Sequence, residues 1–365
     1  MSQCPFCDRE DNMIALSIGA CGPCLRVGND RALSFAHDAH VKTRREWGLP
    51  GEIPRTKGGI PCTICVNACL LGEDEVGACG LRTNLRGQMA GVSEGAAKAT
   101  WYHDPLPTNC VAGWVCPGGT GAGYPRYSNS PGPERGHRNL AVFFTACSFD
   151  CLFCQNWTYR HGTFEGHYSN SQDIADATDS RTSCICHFGG DPGPQAPYAL
   201  KASAEAIERA GDRVLRICWE TNGSVDKRYM DEMVQMSLET GGCVKFDLKA
   251  FDDNLHRALT GVSNRRTLEN FQRAAERIGE RSDPPLLVAS TPMVPGYIDE
   301  EEVGAIARFI AGLDPTIPYS LLAFHPQFKM SDLPVTSRQQ AERCKEAAEG
   351  AGLKTVRIGN VHLLS

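Results

Sequence analysis

Residues 146–157 read Ala146-Cys147-Ser148-Phe149-Asp150-Cys151-Leu152-Phe153-Cys154-Gln155-Asn156-Trp157. Three cysteines at x3 and x2 spacing follow directly on an apolar run, residues 140–144, that reads as a strand. Three thiolates in a loop at a strand's C-terminal end can hold three corners of a [4Fe-4S] cube, because soft sulfur suits iron. The fourth iron then lacks a protein ligand, and an open coordination position marks a catalytic rather than a structural site. The alternative on spacing alone is a zinc site that borrows a fourth ligand, such as His161 or Cys184.

Downstream of this loop, short apolar runs recur at residues 182–188, 214–220, 243–249, 286–293 and 319–324. They have the texture of strands buried on both faces. Helical patterns lie between them at 197–210, 226–240, 264–278 and 300–311. This alternation predicts a parallel α/β sheet, as a partial barrel or an open doubly wound sheet, with chemistry at the C-terminal strand ends.

Upstream the texture differs. The chain has 365 residues and 18 cysteines, 13 of them in the first 154 positions. The start is polar and has no apolar leader, and no apolar run reaches the roughly 18 residues of a membrane span. The sequence therefore predicts a cytoplasmic protein, in which clustered cysteines bind metal more readily than they form disulfides. A net charge of −6 gives no basic field to recruit nucleic acid or an anionic membrane.

The strand ends carry further polar groups. The second strand runs into Gly189-Gly190-Asp191-Pro192, the third into Glu220-Thr221-Asn222-Gly223, the fourth into Asp247-Leu248-Lys249, and the sixth into Phe324-His325-Pro326. With the cysteine triplet, this ordered series resembles the radical S-adenosylmethionine (SAM) superfamily. It is most similar to the pyruvate-formate-lyase-activating-enzyme-like group, and within it to the radical SAM member of the AmmeMemoRadiSam system. The matching stretches include residues 247–252, 256–262, 291–296 and 358–360. The resemblance implies a partial (β/α)6 barrel over residues 138–365, in which Cys147, Cys151 and Cys154 hold the cluster and its open iron binds SAM. It also implies that Phe153 lies against the adenine and that Gly189, Gly190 and Asp191 meet the ammonium group. Glu220, Asn222, Asp247, Lys249 and His325 would make the remaining SAM contacts.

In front of the barrel, Cys4-x2-Cys7 and Cys21-x2-Cys24 form two knuckles 13 residues apart. Four thiolates in that pattern read as a zinc ribbon over residues 1–30, with mononuclear iron as the competing metal. Residues 31–57 read as a short helix and a linker. Residues 58–137 begin with a second set, Cys62, Cys65, Cys69 and Cys79, which resembles the front module of the AmmeMemoRadiSam branch, although Val66 stands where that module has proline. This set could hold zinc or an auxiliary iron–sulfur cluster. The rest of the region is a long Gly/Pro-rich segment containing Cys110 and Cys116, and its glycine run 118–123 reads as flexible chain near the active site.

The reading that follows is an α/β oxidoreductase: a partial radical SAM barrel preceded by cysteine-rich metal-binding modules. It would cleave SAM reductively to a 5′-deoxyadenosyl radical that abstracts a substrate hydrogen. Its partners would be an electron donor such as flavodoxin or ferredoxin and a protein substrate. The alternatives are modification of a small molecule, or a non-catalytic multi-metal electron carrier or interaction module. An electron carrier has no use for the polar strand ends at 247, 249 and 325.

Overall fold

The computed structural model describes residues 2–365. Its centre is one eight-stranded sheet: β1 (Ala99–Pro105), β2 (Arg138–Phe144), β3 (Thr182–Gly189), β4 (Arg216–Thr221), β5 (Val244–Asp247), β6 (Leu287–Met293), β7 (Tyr319–Ala323) and β8 (Val356–Gly359). The strands neighbour one another in chain order. From β2 to β8 every pairing is parallel, and β1 lies antiparallel on the edge against β2. The six strands expected from sequence form the middle of this sheet. The structure adds β8 at one edge and β1 at the other, the latter within a stretch expected to be irregular.

Parallel neighbours require long crossovers, and helices supply them. The expected helices appear as Ala196–Ala210, Lys227–Thr240, Arg265–Ala275 and Glu300–Leu313, joined by Arg338–Gly350 before β8. Their starts follow from the sequence. Asp226, Asp299 and Ser337 each accept a hydrogen bond from a first-turn N–H, and Glu300 to Glu302 favour the positive end of the dipole.

The strands alternate by a period of two. Ile185, Ile217, Trp219, Val244 and Phe246 belong to the apolar core. Cys184, Cys186, Arg216, Cys218, Glu220, Lys245 and Asp247 line internal cavities instead. The inside of this barrel is therefore polar and sulfur-rich, where barrel interiors are ordinarily packed with branched aliphatic side chains.

The front of the chain is built onto the barrel. Ile14, Ile18 and Leu25 are buried in the same core as the barrel helices, and Tyr297 Oη receives the N–H of Ala15 while donating to the Ala20 carbonyl. Arg26 forms a two-pronged ion pair with Asp299 at 2.9 Å per prong. The helix expected to be short is the 17-residue Asp30–Glu46, capped by Asn29. The expectation of flexible chain at 118–123 is corrected. Pro117–Thr120 forms one helical turn that ends at Gly121, and Pro117 and Gly118 are buried. A Cβ at Gly119 would overlap the carbonyl of Gly113. The glycines permit close packing rather than movement. No helix among the described residues is long and apolar enough to cross a membrane.

Glu134 anchors this segment beneath the barrel. Its carboxylate accepts from Arg216 at 2.6 and 2.9 Å, from Ser183 Oγ at 2.6 Å and from the Asn129 N–H at 2.7 Å, and both charged partners are almost wholly buried. Burial pushes the carboxyl up, but the Arg216 contacts outweigh it and bring it down to about 2. Because the folded value lies below the unfolded one, the pair stabilises the fold above about pH 4.5 and the contribution fades as pH falls toward 2. Glu134→Gln leaves Arg216 buried without its counter-charge and should cost about 3–5 kcal/mol at pH 7. Denaturant unfolding at pH 7 and pH 3 should show the gap between variant and parent shrinking at the lower pH.

Candidate active site

Cys147, Cys151 and Cys154 all border one cavity of about 200 Å³ at the C-terminal ends of the strands, ringed by Phe153, Gly189, Gly190, Asp191, Glu220, Asn222, Asp247 and Lys249. Among the described residues no further cysteine and no histidine lines it. The two candidates for a borrowed zinc ligand are elsewhere. His161 packs edge-on to Trp47 with ring centres 4.9 Å apart, and Cys184 borders a separate cavity lower in the barrel. The triplet also falls outside the one group of ligand atoms that all lie within 4.8 Å of one another. Three soft donors, spread more widely than around a single ion and without a fourth, fit the outer corners of an iron–sulfur cube with one iron left open.

The loop carrying these thiols is pinned by charge. Asp150 is almost fully buried between His40 Nδ1 at 2.9 Å and Arg160 Nη2 at 2.7 Å. Burial opposes its ionisation, yet these partners hold the carboxyl below its ordinary range. The amide of Asn222 donates to Ser148 Oγ at 2.8 Å and lies 3.5 Å from Cys147 Sγ. Burial pushes all three thiols up, Cys151 to about 12. A metal would therefore have to displace their protons on binding.

The glycine loop is shaped by close approach. Gly189 has φ of +110°, and a Cβ there would sit 2.6 Å from the Phe144 nitrogen. Gly190 would overlap the Ala146 carbonyl. The side chain of Asp191 is already engaged. It accepts from Thr221 Oγ1 at 2.9 Å and from the N–H groups of Asn222 and Gly193 at 2.8 Å each. Burial raises it to about 6 against those bonds. Asp191 thus ties β3 to β4 while bordering the cavity.

Asp247 accepts from Lys245 at 3.0 Å, Lys249 at 2.9 Å and Ser290 Oγ at 2.7 Å. Burial opposes its charge, but the two lysines hold it well below the usual carboxylate range. Lys245 is paired on its other side with Glu220 at 3.3 Å. Lys249 also stands 6.0 Å from the centre of the Phe153 ring. His325 is a correction: it is exposed, does not border the cavity, and meets only Gln327 at 3.4 Å. The strand ends at Ala323, Phe324 turns inward and is buried, and the next side chain faces outward.

Lys245, Asn156, Tyr159 and Asn360 border the cavity and were not among the expected residues. Lys245 was legible, since it lies two residues before Asp247 on the same strand face. Asn360 sits in a stretch already noted for its resemblance, and its φ of +54° brings it to the cavity.

The two front cysteine sets differ in geometry. In the ribbon, Cys4 Sγ lies 3.9 Å from Cys24 Sγ and Cys7 Sγ 3.6 Å from Cys21 Sγ. All four sulfurs fall within 4.8 Å of one another. Metal–sulfur bonds of about 2.3 Å give a tetrahedral edge of roughly 3.8 Å, so the set matches one ion. Cys62, Cys65, Cys69 and Cys79 neighbour one another but are not drawn in this tightly. That module packs on the cysteine loop and on the chain after β4: Asn67 Nδ2 donates to the Ser148 carbonyl, and the Val66 N–H to the Ser224 carbonyl, both at 2.8 Å.

Comparison with known proteins agrees with this geometry. Residues 141–310 match the family model of the Radical SAM superfamily. The chain is 35% identical over 139 residues to an isethionate sulfite-lyase activating enzyme of Oleidesulfovibrio alaskensis, covering 38% of this chain and 40% of that protein. It is 26% identical over 233 residues to the pyruvate formate-lyase 1-activating enzyme of Escherichia coli, covering 59% and 90%. It is 24% identical over 311 residues to an uncharacterized protein of Methanocaldococcus jannaschii, covering 83% and 81%. The chain thus spans about two fifths of the first of these relatives. The match to the radical SAM model covers the strands from β2 to β6 and most of the helix that follows, the part of the sheet that carries the cysteine triplet, the glycine loop and the paired lysines.

The ribbon geometry generates a direct test. Cys7→Ser should remove one equivalent of zinc or iron per chain and lower the melting temperature, because the metal holds a segment that shares the barrel's core. Metal analysis beside a thermal scan reads both. Truncating residues 1–30 would instead strip buried Ile14, Ile18 and Leu25 from that core.

Proposed function

We propose that this enzyme binds SAM in the cavity at the strand ends and uses it to abstract a hydrogen atom from a protein substrate, as an activase-like modifying enzyme. The observation that carries this reading is the convergence of three thiols without a fourth on a cavity also lined by Asp247, Lys249 and the Gly189-Gly190 backbone. Cys147, Cys151 and Cys154 would hold a [4Fe-4S] cluster, which would supply the one electron needed to cleave SAM to methionine and a 5′-deoxyadenosyl radical.

The chain's own residues do the rest. Asn222 orients Cys147 through its side-chain amide. Phe153 offers a flat apolar face to the adenine, and Lys249 beside it offers a cation to the methionine carboxylate. Asp247, held ionised by its lysines, is placed to accept from the ribose hydroxyls. The buried walls exclude water, so that the radical meets substrate rather than solvent. The named activities of the relatives, activation of lyases, support a protein as the substrate. The electron donor in this reading is a flavodoxin or ferredoxin.

Anaerobically reconstituted enzyme with a strong reductant should form 5′-deoxyadenosine, and the triple change of Cys147, Cys151 and Cys154 to Ala should abolish it. Turnover that survived the triple change would refute the proposal. Lys249→Ala leaves Asp247 paired with Lys245, so the fold should persist while SAM affinity falls about tenfold to a hundredfold. Equilibrium binding of SAM measures this.

A further inference from the structure

Beneath the SAM cavity the barrel contains a second chamber, and six cysteines border it: Cys110, Cys116, Cys184, Cys186, Cys218 and Cys243. None of them belongs to the ribbon, the front module or the triplet. Cys184 and Cys186 alternate on one face of β3, and Cys186 is in register with Cys218 on β4. The next residue pair along, Trp219 with Val244, brings Cys243 level with Cys218 on the following strand. Three neighbouring strands thus contribute a row of sulfur where a barrel interior is ordinarily aliphatic. Cys110 and Cys116 come from the segment that Glu134 anchors below, and they approach from the opposite side. That segment reaches across to β7, where Trp114 Nε1 donates to Ser320 Oγ at 3.0 Å.

The chamber is neither a sealed core nor a disulfide. All six sulfurs are free thiols. The open space is about 40 Å³, above the roughly 10–15 Å³ that admits one water, so a core of a few atoms fits once the thiols lose their protons. Two charged pairs bound the space, Arg216 with Glu134 at the floor and Lys245 with Glu220 at the roof. Burial pushes Cys116 up to about 12 and Cys218 up to about 11, so without a metal these thiols are protonated at neutral pH. No three of the sulfurs lie within 4.8 Å of one another, a wider spread than the ribbon's single-ion set.

We propose that this chamber holds a second metal centre inside the barrel, an iron–sulfur cluster held by thiolates from Cys110, Cys116, Cys186 and Cys218. Glu220 and Lys245 border both cavities, so the centre lies directly beneath the SAM site. The inference does not rest on the proposed function, because no ligand is shared with the triplet.

The test begins with full-length protein in which Cys147, Cys151 and Cys154 are Ala, reconstituted anaerobically with iron and sulfide. Iron and acid-labile sulfide per chain are then compared with and without the added pair Cys186→Ser and Cys218→Ser. The expected result is loss of at least two irons with matching sulfide. A Cys344→Ser control, at a buried cysteine outside the chamber, should leave both unchanged. The pair Cys110→Ala and Cys116→Ala leaves the strands untouched and should give the same loss, which keeps the test decisive if the strand pair does not fold. Iron and sulfide unchanged in the loop pair, or loss of zinc without sulfide, would overturn the proposal.

Discussion

Lys245 is the charge on which the interior of this protein turns. It is almost wholly buried on β5, with Glu220 on one side and Asp247 on the other. A lone ammonium there would cost several kcal/mol, and the two carboxylates reverse the balance, so burial lowers its affinity for a proton but the pairing raises it further. That arrangement sets the geometry in both directions. Upward it leaves Asp247 free to pair with Lys249 at the strand-end cavity. Downward it leaves Glu220 to accept from Cys110 Sγ at 3.2 Å. A barrel filled with aliphatic side chains would offer neither contact.

The remaining elements hold that polar interior in place. Asp191 joins the ends of β3 and β4, Asp150 binds the cysteine loop to His40 and Arg160, and Glu134 with Arg216 seals the floor. Each is a buried carboxylate with its hydrogen bonds filled, the condition under which charge can be kept in an interior. The front modules extend the same scheme outward. The ribbon packs its apolar residues into the barrel's core, and the second cysteine set leans on the cluster loop through Asn67.

Much of this was legible in the sequence. The cysteine triplet and the series of polar strand ends appeared in order, and the middle six strands fell within about two residues of their expected bounds. Those signals are local: a spacing, an apolar run, a glycine pair. What escaped depended on distant partners. β1 is exposed at Thr100, Tyr102 and His103, with Trp101 only partly buried, so it lacks the apolar run of a buried strand. The reach of His40 to Asp150 spans 110 positions. The role of Asp191 depends on Thr221 and Asn222, and the outward turn of His325 on how Phe324 packs. The sulfur row across β3, β4 and the start of β5 was visible as single cysteines, but only strand register aligns them.

The central claim is that the open corner of a cluster on Cys147, Cys151 and Cys154 takes the amino and carboxylate groups of SAM beside Lys249. Electron–nuclear double resonance on the reduced enzyme, with SAM labelled with 15N at the amino group and 17O at the carboxylate, reads that contact directly. The account predicts strong hyperfine coupling to both labels, with the carboxylate coupling altered in Lys249→Ala. Bound SAM that showed no coupling to either label would contradict it.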